Sequence, residues 1–230
     1  MKIIIATIKS WNIENALKLQ KKLRNVHEIK IIDQKEDLKI DEIKAFDPDY
    51  IFFPHWSYII KEEIFRSFTC VVFHMTDLPY GRGGSPLQNL IVRGHKTTKI
   101  SAIQVTKELD AGPIFKKEEL SLEGSAEEIY RRASEIIFSK MIPAILTDRP
   151  EPIPQTGEVI TFLRRKPEQS QLLSDMELKT IYDCIRMLDA EGYPNAYLMF
   201  GDKKLTFSKA DFKDGKITAQ VEWEVSRKQM

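Results

Sequence analysis

Short runs rich in β-branched and aromatic residues alternate with helical apolar stripes through the first two thirds of this chain, and that alternation most limits its fold. Residues 2–8, dense in isoleucine, read as a central strand. Ile13, Ala16, Leu17, Leu19 and Leu23 then mark one face of a helix over 11–23. Strands are expected at 28–32, at 50–53 behind Asp47-Pro48-Asp49, and at 70–73, 100–105 and 114–120, with a helix at 38–46. Pro86 suits the first turn of a helix over 85–92. Ser125-Ala126-Glu127-Glu128 opens another that runs to about residue 145. The chain therefore reads as α/β, an open and mostly parallel sheet with crossover helices.

The pattern changes at 147–156, where Pro150, Pro152 and Pro154 mark a linker. Beyond it come a strand at 159–163, a helix at 176–188 and β runs at 196–200, 204–207 and 217–225, separated by Gly201-Asp202 and Asp214-Gly215 turns. The expected division is a main domain over 1–150, then a linker and small α+β appendage over 151–230. With 230 residues the chain can bury a core without staples. Lys and Arg number 35 against 34 Asp and Glu, a net of +1 that argues against nucleic acid as the partner. Cys70 and Cys184 lie far apart and read as small core residues of a reduced, cytoplasmic protein. No His/Cys/Asp/Glu spacing matches a metal site, the first residues lack a signal-peptide pattern, and no apolar run nears the ~20 residues of a membrane span.

His74 follows the buried run Cys70-Val71-Val72-Phe73, where open α/β sheets bind their ligands, beyond strand ends. Pro79, Gly81, Gly83, Gly84 and Pro86 behind it let backbone approach a substrate closely. A second expected strand leads to Leu109-Asp110-Ala111-Gly112, so His74 and Asp110 are candidates for one acid/base pair. His27 and His95 sit among polar residues, and His55 stands in an aromatic-rich loop that suits packing or a pocket wall. Neither a Walker loop nor a dinucleotide glycine fingerprint is present. Arg164-Arg165-Lys166-Pro167 is either a solvated charged turn or a phosphate grip. Trp11 suits either packing at a helix start or contact with a sugar.

These motifs resemble the folate-dependent formyltransferase family, which has a Rossmann-like sheet. Val72-Phe73-His74 stands at the family's Asn-x-His, Leu78-Pro79-Tyr80-Gly81-Arg82-Gly83-Gly84-Ser85-Pro86 at its substrate loop, and Leu109-Asp110-Ala111-Gly112 at its Asp-x-Gly turn. The likeness covers residues 1 to about 170 and extends more loosely into the tail. One position departs: Val72 occupies the asparagine that normally helps hold the formyl oxygen. A donor from elsewhere such as Asn89, backbone amides of the glycine loop, or an altered activity would each account for it.

The resemblance implies formyl transfer from N10-formyltetrahydrofolate to an amine, with His74 shuttling protons and Asp110 orienting it. It implies a pterin against Trp56, Ser57, Tyr58, Ile59, Ile60, Leu109 and Asp110. The acceptor would lie over Ser10, Trp11, Pro79, Tyr80, Gly81, Arg82 and Gly83. Within the family, Phe162-Leu163-Arg164-Arg165-Lys166-Pro167-Glu168-Gln169-Ser170 and Tyr193-Pro194-Asn195-Ala196-Tyr197 resemble segments of the sugar-nucleotide N-formyltransferases. The short tail and balanced charge point the same way. The expected acceptor is therefore a UDP- or dTDP-linked 4-amino sugar for surface polysaccharide, as in a pseudaminic-acid-type pathway, with Arg164 and Arg165 gripping its phosphates. A methionyl-tRNA formyltransferase-like enzyme and a non-catalytic folate or nucleotide-sugar binding protein are the alternatives. No metal or membrane is implied, and the apolar tail leaves a homodimer open.

Overall fold

A computed structural model describes residues 1–225. They separate into two compact units, each assembled from non-contiguous pieces of chain. The first comprises Met1–Gly83, Thr98–Leu120 and Arg131–Thr161; the second comprises Gly84–Thr97, Ser121–Tyr130 and Phe162 onward.

In chain order the elements are β1 (Lys2–Ala6), α1 (Ser10–Leu23), β2 (Glu28–Ile32), α2 (Ile40–Phe46), β3 (Tyr50–Phe53), α3 (Glu62–Ser67), β4 (Cys70–His74) and β5 (Tyr80–Gly83). There follow α4 (Pro86–Val92), β6 (Thr97–Gln104), β7 (Ile114–Ser121), α5 (Ala126–Ile136), α6 (Ile142–Asp148), β8 (Ile160–Phe162), α7 (Leu178–Arg186), β9 (Ala196–Phe200), β10 (Lys203–Lys213) and β11 (Lys216–Val225).

The main sheet has six strands in the order β2-β1-β3-β4-β6-β7. β1 pairs parallel with both β2 and β3, and β3 pairs parallel with β4. β6 runs antiparallel to β4, placing His74 opposite Ser101. The α/β, mostly parallel architecture is as the alternation predicts. Ile3, Ile4, Ile5, Ile51, Phe52 and Val71 are wholly inaccessible to water, as expected of central strands covered on both faces. Ile4, Ile51, Phe53 and Cys70 meet Ile43 of α2 and Ile64 of α3 on one side. The edge strand β7 carries Lys116, Lys117, Glu118 and Glu119, charges that discourage further strand addition.

Two departures from the expected elements have local causes. α3 is a six-residue helix, too short for a periodic stripe to be read in sequence. The helix expected from 125 to about 145 widens over Ile137–Met141 before α6. Pro143 has no amide to give the preceding turn, so a wider turn absorbs the break.

Within the second unit, β9, β10 and β11 form an antiparallel sheet in the order β11-β10-β9. Lys213 faces Lys216 across a two-residue turn in which Asp214 (φ 52°) and Gly215 (φ 70°) take the left-handed conformation such hairpins require. Gln88 of α4 donates to the Met187 carbonyl (3.0 Å) and the Tyr130 hydroxyl (3.3 Å), and Tyr130 stacks on Tyr193. Burial raises the Tyr130 phenol well above its ordinary range, so it stays neutral.

Candidate active site

The chain passes from β1 to β2 on one side and to β3 on the other, so a crevice forms where β1 and β3 end. Thr7 Oγ1 donates to the Pro54 carbonyl (2.6 Å), and Asn12 Nδ2 donates to the same oxygen (3.3 Å), tying the two strand ends together. His55 sits there at φ 54°, a conformation His adopts more readily than most residues. Burial, with Lys9 nearby, lowers its imidazole to about 4. Trp11 is 2 % exposed, edge-on to His55, with Lys9 and Arg131 over its ring. This is the helix-start packing role, with Ser10 beside it opening α1.

His74 ends β4 and is almost fully buried. Its Nε2 lies 2.7 Å from the Gly81 carbonyl, and its Nδ1 lies 3.6 Å from Asp110 Oδ2. A carbonyl and a carboxylate only accept, so whichever ring nitrogen carries a proton has an acceptor facing it. Asp110 Oδ2 also accepts from the Gly83 amide (2.9 Å). The expected pair is therefore assembled, by a different route from two adjacent strand ends. Because β4 and β6 are antiparallel, β6 finishes at the opposite end from His74. The loop 105–113 folds back to deliver Asp110, which takes φ 53°. Gly112 makes that turn possible: a Cβ there would run into the Gln104 carbonyl oxygen.

The substrate loop is a strand rather than an irregular segment: β5, paired with β8. Gly81 (φ 81°) and Gly83 (φ 103°) supply the left-handed positions, and the Leu78–Pro79 peptide is cis. Arg82 Nε and Nη2 donate to Gln155 Oε1 at 3.1 and 2.8 Å, and its Nη1 is 3.5 Å from Glu108. Below the loop, Lys117 and Lys99 bond Asp77, and Lys117 also donates to the Leu78 carbonyl (2.6 Å). Burial pushes the Asp77 carboxyl up, but those bonds outweigh it and leave it below its usual range.

The residues expected to meet a pterin are 56–60 and the 108–112 turn. Trp56 and Ile60 lean on the core cluster, while Tyr58, Ile59 and Leu109 are exposed. The buried Trp56 indole N–H has no hydrogen-bond partner among the described residues. An unused donor beside exposed apolar side chains fits a planar heterocycle carrying acceptors.

Arg164 and Arg165 belong to the second unit. Arg165 Nη2 donates to the Gln169 carbonyl (2.5 Å) and its amide donates to Ser85 Oγ (3.1 Å), so it braces the 3₁₀ turn Pro167–Ser170. Arg164 backbone lies against Gly84, where a Cβ would come 2.7 Å from its Cα. Asn89 is not a spare donor for the formyl oxygen: its Nδ2 already serves the carbonyls of Gly84, Ser85 and Leu163. Val72 packs on the apolar cluster. Sequence reading missed Gln155, which it placed in a linker. The proline spacing around it is the one signal of a directed, extended segment. Among the described residues no group of three His, Cys, Asp or Glu could hold a metal, and no helix is long and apolar enough to cross a membrane.

Comparison with known proteins bears on this geometry. A family described as "Formyl transferase" matches residues 12–145, and one described as "Methionyl-tRNA formyltransferase, C-terminal domain" matches 167–224. A solved structure titled methionyl-tRNA formyltransferase from Clostridium thermocellum is 58 % identical, with a TM-score of 0.96, covering 98 % of this chain and 99 % of that one. Methionyl-tRNA formyltransferase of Rickettsia prowazekii is 26 % identical over 183 residues, 77 % of this chain and 60 % of its own length. That of Bacillus cytotoxicus is 30 % identical over 177 residues, 74 % and 55 % respectively. The chain thus spans about three fifths of the length of the curated relatives it matches.

These findings overturn the expected branch. A nucleotide-linked amino sugar, a place in surface polysaccharide synthesis and the exclusion of nucleic acid all give way. The relatives named are methionyl-tRNA formyltransferases, and the tail that was read as sugar-type matches that group's C-terminal domain. The error has two sources. The tail motifs are short, and in the fold Arg165 is spent on bracing a turn. Net charge sums over the whole chain and carries no information on where a polyanion could dock.

Proposed function

The chain belongs to the formyl transferase family, and from that premise we propose that it transfers a formyl group to the amine of methionyl-tRNA. The observation that carries this reading is the 58 % identity along 98 % of the chain to the Clostridium thermocellum protein titled methionyl-tRNA formyltransferase. N10-formyltetrahydrofolate supplies the formyl group. The chain's own residues supply proton handling and position.

His74 accepts the proton lost by the attacking amine and returns one to the leaving nitrogen, a role worth ~10²–10⁴-fold in rate. Asp110, fixed by the Gly83 amide, holds the charged ring while the proton is resident. For Nε2 to reach the amine, the Gly81 carbonyl must yield its bond, and the glycine's freedom at φ 81° makes that exchange cheap. With valine at 72 and Asn89 committed, charge developing on the formyl oxygen falls to backbone amides of the 78–84 loop. The pterin rests on Trp56, Ser57, Tyr58, Ile59, Ile60 and Leu109. The acceptor approaches over Ser10 and the Pro79–Gly83 segment of the first unit. The reaction belongs to the cytoplasm, where charged tRNA is made.

The test is direct. Purified chain, N10-formyltetrahydrofolate and charged initiator tRNA should give formylmethionyl-tRNA, measured by mass spectrometry of the released aminoacyl ester. Formyl transfer to some other amine with none to methionyl-tRNA would overturn the assignment.

A further inference from the structure

Gln155 is the least expected member of the cluster around Asp110, and its bonds reach in both directions. Its Nε2 donates to the Asp110 carbonyl (2.8 Å) and to the Gly112 carbonyl (2.9 Å). Its Oε1 accepts from Arg82 Nε (3.1 Å) and Nη2 (2.8 Å). One amide therefore closes the Asp110–Gly112 turn and ties it to the loop that carries Gly81 and Gly83.

The segment bearing Gln155 is anchored on both sides. Ile153 and Ile114 exchange backbone hydrogen bonds of 2.9 and 2.7 Å, and the Ile160 amide donates to the Pro79 carbonyl (3.4 Å). Pro152 and Pro154 restrict the backbone between those anchors. Residues 153–160 thus form a strap pinned at the start of β7 and at the substrate loop. Asp110 sits in the left-handed region, which a non-glycine residue leaves readily unless its neighbours hold it. Gln155 occupies both carbonyls of that turn.

We propose that Gln155 is a positioning residue for the His74–Asp110 pair: it locks the Asp110 turn to Arg82 so that the carboxylate stays opposite His74 Nδ1. The proposal deepens the formyl-transfer reading and rests on it for its kinetic consequence, but its structural half stands on these bonds alone. The charged groups of the cluster besides His74 are Asp110, Arg82 and Glu108.

The experiment compares Gln155→Met, which keeps shape and removes every polar contact, with Gln155→Glu, which keeps an acceptor for Arg82 and loses both donors. Both should fold, with far-ultraviolet dichroism matching the parent. Gln155→Met should lower kcat by ~10–10²-fold, the scale of a small misplacement of catalytic groups, with KM for the formyl donor changed less than threefold. Gln155→Glu should fall with it, because the donors close the turn. In both, the loss should fall on kcat rather than KM, whereas a role confined to stability would lower the melting temperature and leave kcat of the folded protein at the parent value. NMR without substrate makes the comparison independently of turnover: the Gly83 amide, which donates to Asp110 Oδ2, reports the place of the carboxylate, and its resonance should shift in Gln155→Met. If the parent fails to formylate methionyl-tRNA yet that resonance shifts in Gln155→Met, the function reading falls and the positioning role survives. An unmoved resonance with kcat within twofold of the parent would overturn the proposal.

Discussion

The neighbourhood of His74 and the sheet formed by β9, β10 and β11 are built on opposite terms. Around His74 the ring nitrogens and the Asp110 carboxylate face partners, and β4 is buried at every residue but Val72. On the three-stranded sheet, Met199, Phe200, Val221, Trp223 and Val225 face water. The first region is tightly constrained, because moving a group there leaves a buried partner unsatisfied unless another takes its place, as a substrate amine would at the Gly81 carbonyl. The second has side chains whose loss leaves no cavity. A proton-transfer site needs the former, since misplacement of its groups by an ångström is costly in rate.

That contrast can be broken most sharply at His74. His74→Ala should cut turnover by ~10²–10⁴-fold while preserving the dichroism spectrum and folate binding measured by calorimetry. Near-normal turnover would remove the imidazole from the mechanism. Gly112→Ala should come next. Its methyl group meets a backbone carbonyl that cannot step aside, so a loss of about 2–3 kcal/mol in urea unfolding is expected, together with slower turnover as Asp110 shifts.

His55 sharpens the comparison through pH. Its folded value, about 4, lies below its ordinary one, so between pH 6.5 and 4 the unfolded chain binds the extra proton. Stability is therefore intact above about pH 6.5 and declines as pH falls through that window. The ring keeps some contact with water, which limits the loss to ~1–2 kcal/mol. His55→Gln should flatten the slope of stability against pH, and an unchanged slope would place the acid sensitivity elsewhere. The smallest effect belongs to the exposed sheet. Trp223→Ser should leave unfolding free energy within ~0.5 kcal/mol, and a loss of several times that would show that the surface is covered in solution.

Much of the fold was legible because apolar period is a local property. The strands β1, β2, β3 and β9 fall where their isoleucine-, phenylalanine- and tyrosine-rich runs lie, and Asp214-Gly215 specifies its turn through the left-handed angles both residues tolerate. α3 was not legible, since six residues hold fewer than two turns. At the site, His74 and Asp110 stood out by position beside glycine turns. The acceptor was misread because the features used, a basic tripeptide and the net charge, are compatible with many partners.

By itself the sequence determined the α/β class, the strand-end histidine, the glycine-dependent turns and membership of a family, since each rests on residue type and spacing within a few positions. Only the tertiary structure decided that β6 runs antiparallel to β4, that the 105–113 loop folds back to bring Asp110 to His74, and that Gln155 bonds both Asp110 and Arg82. Those contacts join residues tens of positions apart. Their geometry depends on how buried backbone carbonyls and amides far apart in the chain are satisfied together, which no local pattern encodes.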